Sequence, residues 1–286
     1  MYADNDGVSI YYEVDGPAGG SVDAASEAAS REAGESPAPP TVVFVEGLGY
    51  GRWMWQWQAE PLAEEYRTVV FDNRGTGDSD VPEGPYTIGE MAGDLEAVLA
   101  DAGVESAHVV GASMGGMIAQ RYALEYDRAA SLALLCTSHG GDAAVPTPPE
   151  TQERMFGVPA DGDERQEIRY KMEPAMSDEF WTENDELIER IVDWRLAGDA
   201  TPAGREAQAA GVAAFDASDE VSGIDLPALL CHGTDDRVLP VENSRLLHEK
   251  LPNSELETFA GGPHLFFIEQ ADAVTDRLRS FLADVA

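Results

Sequence analysis

A single serine stands among glycines and alanines in the stretch VVGASMGGMIA, residues 109–119. Gly111, Ser113 and Gly115 fit the pattern G-x-S-x-G, in which glycines permit a sharp turn between a strand and a helix. The small neighbours leave the hydroxyl open to a substrate, and the start of the following helix offers unpaired N–H groups and a positive dipole end. The pattern predicts that Ser113 is a nucleophile.

A serine hydroxyl of ordinary pKa is a weak nucleophile, so this chemistry requires a base and a group that orients the base. Later stretches of the chain supply Asp235 and Asp236, and then His264. Each follows an apolar, strand-like run, and the chain order is nucleophile, acid, histidine. Loops at the carboxyl ends of parallel strands lie at one edge of a sheet. These groups are therefore expected to meet near Ser113.

The other four histidines are weaker candidates for the base. His108 begins a strand-like run, His232 precedes a turn glycine, and His248 lies on an acidic helical segment. We interpret these three as structural residues. His139 follows a predicted strand near the sheet edge, and it is a candidate pocket residue.

The elements that must position these groups alternate between strand-like and helix-like patterns. Thr87 and Glu90 form a capping box at the start of a predicted helix that reaches Ala102. This alternation predicts an α/β fold with a mostly parallel sheet and helices on both faces. The predicted strands are Val8–Val14, Thr41–Val45, Thr68–Phe71, Ala107–Val110, Leu132–Cys136, Ala228–Cys231 and Glu255–Phe259.

Two segments interrupt the alternation. Residues 17–40 hold one valine and no larger apolar side chain, so they are predicted to be a mobile surface insertion, with a docking segment as the alternative. Residues 138–226 begin with a proline-rich stretch and continue as amphipathic helices. They are predicted to form a helical cap over a core domain of residues 1–137 and 227–286.

The charge balance is strongly acidic: 54 Asp and Glu against 18 Lys and Arg give a formal net charge of −36. The carboxylates are spread along the chain, and their mutual repulsion is screened only at high salt. This pattern favours adaptation to a salty cytoplasm over a cation-binding or acidic-tail function. The sign of the charge argues against nucleic acid as a partner.

The two cysteines, Cys136 and Cys231, each end an apolar run, so they are predicted to be buried thiols rather than a disulfide or a metal site. No apolar run approaches the length of a membrane span, and the first residues lack the pattern of an export signal. We therefore predict a cytoplasmic protein without a membrane partner.

With these motifs in hand, the chain resembles the α/β-hydrolases, and within them the capped esterase and enol-lactone hydrolase branch. The resemblance covers nearly the whole chain apart from residues 17–40. The matching pieces, in family order, are Val45–Gly49, Asp72–Ser79, Gly111–Gly115, Gly233–Asp236 with Pro240, and Gly262–His264.

The resemblance implies a role for each matched residue. The family pattern G-x-x-D-x-x-x-P places the catalytic acid on Asp236, with Asp235 as the alternative. Backbone N–H groups of Leu48 and Met114 would form the oxyanion hole. His264 would take the proton of the nucleophilic serine, and water would then release an acyl-enzyme. No metal or organic cofactor is implied.

One position departs from the family pattern. Glu46 stands where the family commonly has histidine, beside the turn that begins at Gly47. Because the oxyanion hole uses backbone groups, the loop is expected to keep its fold. A carboxylate near a developing oxyanion would slow the reaction unless it points away or is paired, and Arg74 is the candidate partner.

The resemblance implies a serine hydrolase for a small or medium carboxylic ester or enol-lactone. Related enzymes that attack with aspartate, the haloalkane dehalogenases and epoxide hydrolases, are excluded by Ser113. Two alternatives remain open: C–C bond hydrolysis or cofactor-free perhydrolysis by the same three residues, and a weakly catalytic ligand receptor on the same fold. A small-molecule substrate is the expected partner.

The substrate pocket is the least determined part of the sequence. An apolar pocket roofed by the cap would suit a hydrophobic ester or lactone, although simple packing is the preferred interpretation for Trp194. Arg190 and Arg195 are candidate anchors for a substrate carboxylate. The candidate pocket residues are Trp53, His139, Trp181, Trp194 and Leu265.

Overall fold

The protein is described by a computed structural model that covers residues 1–17, 39–157 and 162–285. The predicted surface insertion at residues 17–40 lies almost entirely outside these described residues. Its expected mobility stays a prediction.

An eight-stranded sheet forms the centre of the molecule, in the order β1-β2-β4-β3-β5-β6-β7-β8. Strands β1 and β2 form an antiparallel pair, β2 joins β4 antiparallel, and the remaining neighbours are parallel. The predicted mostly parallel sheet is thus confirmed. The strands are β1 (Tyr2–Asn5), β2 (Val8–Asp15), β3 (Thr41–Val45), β4 (Arg67–Phe71), β5 (Ala107–Ala112), β6 (Ala129–Leu135), β7 (Ala228–Gly233) and β8 (Ser254–Phe259).

Strand β1 was not among the strands predicted from the sequence. It pairs with β2 through a two-residue turn at Asp6 and Gly7, whose φ angles are 52° and 87°. An Asp-Gly pair with two positive φ angles is typical of a tight hairpin. The sequence signal was therefore present, but the short strand beside it has only four residues.

Helices cover both faces of the sheet, which explains why the central strands are apolar without alternation. Every residue of β3 and β5 is buried. The α-helices of the described residues are α1 (Gln56–Leu62), α2 (Ile88–Asp101), α3 (Met114–Glu125), α4 (Pro149–Phe156), α5 (Glu164–Met172), α6 (Asp178–Glu183), α7 (Asp185–Gly198), α8 (Pro202–Ala214), α9 (Glu242–Lys250), α10 (Phe266–Glu269) and α11 (Ala271–Val285).

The capping box predicted for the second helix is confirmed. The Thr87 hydroxyl accepts from the Glu90 N–H at 3.1 Å, and the Glu90 carboxylate accepts from the Thr87 N–H at 2.8 Å. Residues Met91, Leu95 and Val98 of α2 point into the core. The amphipathic pattern and the cap together fix where this helix begins and which face it buries.

Among the described residues between β6 and β7 there are five α-helices, α4 to α8. This is the segment in which the sequence predicted a cap. Helix α8 packs directly on the core: the Tyr86 N–H donates to the Ala207 carbonyl at 3.1 Å. A side chain at Gly211 would place its Cβ 1.8 Å from the Tyr86 carbonyl oxygen, so only glycine permits this approach.

Both cysteines are buried free thiols, as the sequence predicted. Within residues 1–17, 39–157 and 162–285, none of the helices has the length and apolar character of a membrane span.

Candidate active site

Ser113 occupies a sharp turn between β5 and α3. Its backbone adopts φ 55° and ψ −116°, a conformation that L side chains rarely adopt. Glycine is required on both sides, because a Cβ at Gly111 would lie 2.3 Å from the Gly115 carbonyl oxygen and a Cβ at Gly115 would lie 2.1 Å from the Val45 carbonyl oxygen. The two glycines of the G-x-S-x-G pattern therefore permit the close packing of this turn against β3.

His264 and Asp236 meet in loops that follow β8 and β7. The Nδ1 atom of His264 lies 2.7 Å from Oδ2 of Asp236, and both residues are buried. Asp235 is exposed, and its carboxylate accepts only from the adjacent Thr234 hydroxyl at 3.0 Å. Of the two aspartates left open by the residue pattern, the structure brings Asp236 to the histidine.

Further hydrogen bonds hold the Asp236 carboxylate in place. Its Oδ1 accepts from the N–H groups of Val238 at 2.7 Å and Leu239 at 2.9 Å. Burial raises the pKa of Asp236, but the neighbouring His264 and the bond to His232 outweigh it and bring the pKa to about 2. The carboxylate is therefore ionised over the whole physiological pH range.

His232 is a residue whose part in this site the sequence did not reveal. Its Nε2 lies 3.0 Å from Asp236 Oδ2 and 2.8 Å from the Leu239 carbonyl oxygen, and its Nδ1 lies 2.7 Å from the Ser244 hydroxyl. Because both neighbours of Nε2 accept, we assign the proton to Nε2. The spacing His232 to Asp236 was the available signal, but a histidine before a turn glycine is more often structural.

Two opposing effects act on His264. Burial lowers its pKa, while the Asp236 charge raises it, and the pKa ends well above the ordinary value. The Cys136 thiol, which lines the same cavity, also raises the pKa of His264. The Ser113 hydroxyl makes no hydrogen bond to any described residue, yet both Ser113 and His264 line one cavity. Such contacts commonly tighten only when substrate binds.

The loop after β3 lies beside the serine. A Cβ on Gly47 would lie 3.6 Å from the Ser113 Cβ, and the next residue, Leu48, lines the same cavity. Met114 is the first residue of α3, and first-turn N–H groups have no partner within their own helix. Leu48 and Met114 thus line the same cavity as Ser113, and their role as oxyanion donors stays a prediction.

Glu46 does not pair with Arg74, which corrects the expectation from the sequence. Arg74 instead binds Asp94 through two bonds of 2.6 and 2.7 Å. Glu46 Oε2 accepts from the Asn73 side-chain amide at 3.0 Å, and its other oxygen has no partner among the described residues. Burial and the nearby Asp72 charge raise the pKa of Glu46 well above its usual value. Burial therefore favours the neutral acid over the carboxylate at this position.

The cavity shared by Ser113 and His264 has a volume of about 140 Å³. Of the five predicted pocket residues, Leu265 lines it. The other four lie elsewhere: His139 is buried with Nδ1 2.8 Å from the Gly140 carbonyl oxygen, and Trp53 stacks on Trp194 at 5.9 Å. Trp181 packs near the Arg169 guanidinium. Leu265 is thus the one of the five that borders this cavity, and the three tryptophan rings contact other aromatic or arginine side chains.

The two arginines proposed as carboxylate anchors also lie in different places. Arg195 lines the cavity, whereas Arg190 is exposed with its guanidinium 5.0 Å from the Trp194 ring.

A larger groove of about 650 Å³ runs past Arg52 and Trp53, but neither Ser113 nor His264 borders it. The described residues contain no cluster of three His, Cys, Asp or Glu that could hold a metal ion.

Comparison with known proteins adds independent information. The sequence model of the alpha/beta hydrolase fold matches residues 40–271. The putative carbamate hydrolase RutD of Cronobacter turicensis is 28% identical over 246 residues, which cover 80% of this chain and 85% of that protein. Est816, an N-acyl homoserine lactone degrading enzyme, is 28% identical with a TM-score of 0.78, covering 98% of this chain and 100% of that one. The enol-lactonase from Burkholderia xenovorans LB400 is 25% identical with a TM-score of 0.82, covering 99% and 100%.

The sheet order, the serine turn and the histidine–aspartate pair at the carboxyl edge define a hydrolytic enzyme of the α/β class. Because the family match spans most of the chain, the protein belongs to the alpha/beta hydrolase fold family. The predictions of this fold and of a hydrolytic enzyme are confirmed.

Proposed function

We propose that this hydrolase cleaves a small carboxylic ester or lactone through an acyl-enzyme on Ser113. The observation that carries the proposal is the 2.7 Å bond between His264 and the buried Asp236, made beside the cavity that Ser113 also lines. The lactone-degrading and enol-lactonase neighbours support a lactone among the candidate substrates.

In the proposed reaction, neutral His264 takes the Ser113 proton as the hydroxyl attacks the substrate carbonyl. The tetrahedral oxyanion accepts hydrogen bonds from the N–H groups of Leu48 and Met114, and each such donor contributes roughly 3 kcal/mol. The imidazolium gives its proton to the leaving oxygen, and an acyl-enzyme remains. Water, deprotonated by His264, then releases the acid. Asp236 holds the ring and stabilises its charge.

The cavity limits the size of the group that it encloses. Its volume of about 140 Å³ is close to the roughly 150 Å³ that accommodates a benzene-sized ligand. Apolar side chains make up much of its lining, among them Met114, Met117 and Phe267. We propose that residues 138–226 act as the cap of this cavity, since Met155 and Val212 reach its wall from that segment.

The test is active-site labelling together with turnover. A fluorophosphonate applied in molar KCl is expected to label Ser113 alone, as read by peptide mapping. Ser113→Ala and His264→Ala should each lower ester turnover by on the order of 10⁵-fold or more relative to the parent protein. Labelling at another residue, or substantial activity in both variants, would overturn the assignment of nucleophile and base.

Carbamate hydrolysis is the second candidate, favoured by the relative named as a putative carbamate hydrolase. Ser113 would attack the carbamate carbonyl while His264 takes its proton, and the imidazolium would then protonate the leaving group, which is methanol when the substrate is methyl carbamate. Matched methyl acetate and methyl carbamate assays on the parent protein and Ser113→Ala separate the two. Higher Ser113-dependent kcat/KM on the carbamate would favour the second candidate.

A further inference from the structure

Basic side chains are concentrated in the wall of the active-site cavity. Three of the 18 basic residues of the chain line it, and among the described residues its lining contains no Asp or Glu. The three are Lys171, Arg195 and Arg205. In a protein of net charge −36, a cavity wall that has three basic side chains and, among its described residues, no carboxylate is a specific local feature.

Two of these cations are neutralised within the protein. Lys171 pairs with Glu167 one helical turn away. Arg195 binds the Asp199 carboxylate through Nε at 2.6 Å, and its Nη1 donates to the Tyr50 hydroxyl at 3.2 Å. The charges of Lys171 and Arg195 are therefore already compensated by carboxylates four residues away.

Arg205 differs from its two neighbours. Its guanidinium makes no ion pair and no hydrogen bond to any residue of the described ranges. Burial lowers the pKa of Arg205, and the nearby Arg195 charge lowers it further. A desolvated cation beside a like charge is unfavourable unless an anion joins it. An anionic ligand would satisfy both the charge and the free N–H donors.

The helix that carries Arg205 is fastened to the core. Gln208 of α8 accepts from the Gly49 N–H at 2.8 Å and donates to the Arg74 carbonyl and the Thr76 hydroxyl at 2.9 Å each. A Cβ on Gly204 would lie 2.3 Å from the Gly75 carbonyl oxygen, so helix and core loop touch. The arginine is therefore presented from a rigid support.

The guanidinium also lies against the loop that contains Leu48. Its Nη1 is 3.3 Å from the position of a Cβ on Gly49, the residue after Leu48. Gly49 has φ 77°, and its missing side chain leaves room for the guanidinium beside the loop. A substrate group held by Arg205 would thus be only a short distance from the carbonyl that Ser113 attacks.

We propose that Arg205 binds a carboxylate of the substrate, so that the preferred substrates are short half-esters or lactones that carry a second carboxylate. This inference rests on the proposed ester or lactone hydrolysis. The planar fork of arginine matches a carboxylate through two parallel hydrogen bonds. The small cavity limits the spacer between carboxylate and reacting carbonyl to a few carbon atoms.

The experiment compares two esters that differ only in charge, monomethyl glutarate and methyl pentanoate, at fixed molar KCl. The salt screens the acidic surface, whereas a buried contact is screened much less. Arg205→Gln is expected to lower kcat/KM for monomethyl glutarate by about tenfold or more, the effect of losing a hydrogen bond to a charged group, with less than about twofold change for methyl pentanoate. Arg205→Lys should fall between, since it keeps the charge without the fork.

Arg245→Gln provides the matched control. Arg245 is exposed on α9 and pairs with Glu242 at 2.8 Å, far from the cavity lining. Neither ester should change by more than about twofold in this variant, because surface substitutions have small effects. Thermal melting of each variant reports whether it is folded, and if Arg205→Gln does not fold, the Arg205→Lys comparison decides.

An unchanged preference between the esters in Arg205→Gln, or an equal loss on both, would overturn the inference while leaving Ser113-dependent hydrolysis intact. If the parent protein hydrolyses neither ester and takes no fluorophosphonate label, the proposed function fails instead. Calorimetric titration with glutarate then still tests the anion site. Glutarate should bind the parent protein and Arg245→Gln, and it should bind Arg205→Gln at least tenfold more weakly. Equal binding to all three proteins would reject the site.

Discussion

At the scale of single residues, the site is organised by one carboxylate. Asp236 accepts from His264, His232 and two backbone N–H groups, so it stays ionised and cannot rotate. A fixed negative charge beside a buried imidazole orients the ring and stabilises its protonated form. In the proposed mechanism, this charge would assist catalysis and raise the pH at which His264 becomes a base.

Asp236→Asn tests this dual role. The Asp236 charge raises the pKa of His264, and only the neutral ring can accept the serine proton. Without the Asp236 charge the pKa of His264 falls, so the acidic limb of the pH profile of kcat/KM should move to lower pH. The plateau of that profile should drop by on the order of 10³–10⁴-fold. Ester turnover between pH 5 and 10 is the measurement. An acidic limb that stays at the parent position would show that another group controls it.

Glu46→Gln tests the neutral carboxyl beside the oxyanion loop. In the unfolded chain Glu46 ionises near 4.5, whereas the folded protein keeps the proton to higher pH. The folded state then binds more protons, so the free energy of unfolding falls as pH rises through that window. Glutamine does not titrate. The free energy of unfolding of Glu46→Gln, relative to that of the parent protein, should therefore grow by about 1.4 kcal/mol for each pH unit within that window.

Urea unfolding in molar KCl from pH 5 to 8 measures that difference. Glu105→Gln, at an exposed position, is the control and should show a nearly constant difference across the same range. A flat difference for Glu46→Gln as well would mean that Glu46 is ionised in the folded protein.

At the scale of elements, the position of α8 decides where Arg205 lies. The helix approaches the core through glycine and alanine, and a Cβ at Gly211 would lie 1.8 Å from the Tyr86 carbonyl oxygen. A helix that had to move outward would carry Arg205 and Gln208 away from the oxyanion loop. Close backbone contacts, together with the hydrogen bonds of the Gln208 side chain, thus set the geometry of this cavity wall.

Gly211→Ala is expected to destabilise the protein by about 1–3 kcal/mol, because the added methyl group overlaps the core loop. It should also lower kcat/KM on both charged and neutral esters, since the whole wall shifts. Gly223→Ala is the matched control, with nothing within 4 Å of its Cβ and an expected change below about 0.5 kcal/mol. Urea unfolding and turnover of both variants are the measurements. Equal stability of the two variants would contradict the contact.

At the scale of the whole molecule, the acidic surface dominates. A formal charge of −36 on 286 residues repels itself, and the repulsion acts on the folded state more than on the expanded chain. At 0.1 M salt the Debye length is about 10 Å, and at 1 M it is about 3 Å. We propose that the protein is adapted to a salt-rich cytoplasm.

The corresponding prediction concerns salt. The melting temperature should rise by about 10 °C or more between 0.1 and 2 M KCl, because screening removes unfavourable charge interactions of a few kcal/mol. Matched scans in sucrose of equal osmolality separate charge screening from solvent exclusion. Full stability in dilute buffer would contradict adaptation to salt.

The sequence by itself determined the strand–turn–helix around Ser113, the alternation of strands and helices, and the loops that carry His264 and the two aspartates. These are local patterns, set by residue type and spacing over a few positions. It also predicted an oxyanion hole at the loop after β3, which stays a prediction, and the helical segment between β6 and β7.

The family pattern implied Asp236 as the acid with Asp235 as the alternative, and the structure shows the contact between Asp236 and His264. Only the tertiary structure decided that Glu46 contacts Asn73 rather than Arg74, and that Leu265 alone of five predicted residues lines the cavity. These outcomes depend on contacts between segments far apart in the chain and on burial, which shifts the balance between charged and neutral groups. Residue spacing within one segment contains no information about which distant side chain, if any, will lie beside it. For that reason Arg205, with no local motif to mark it, becomes a candidate site only once the fold places it in the cavity.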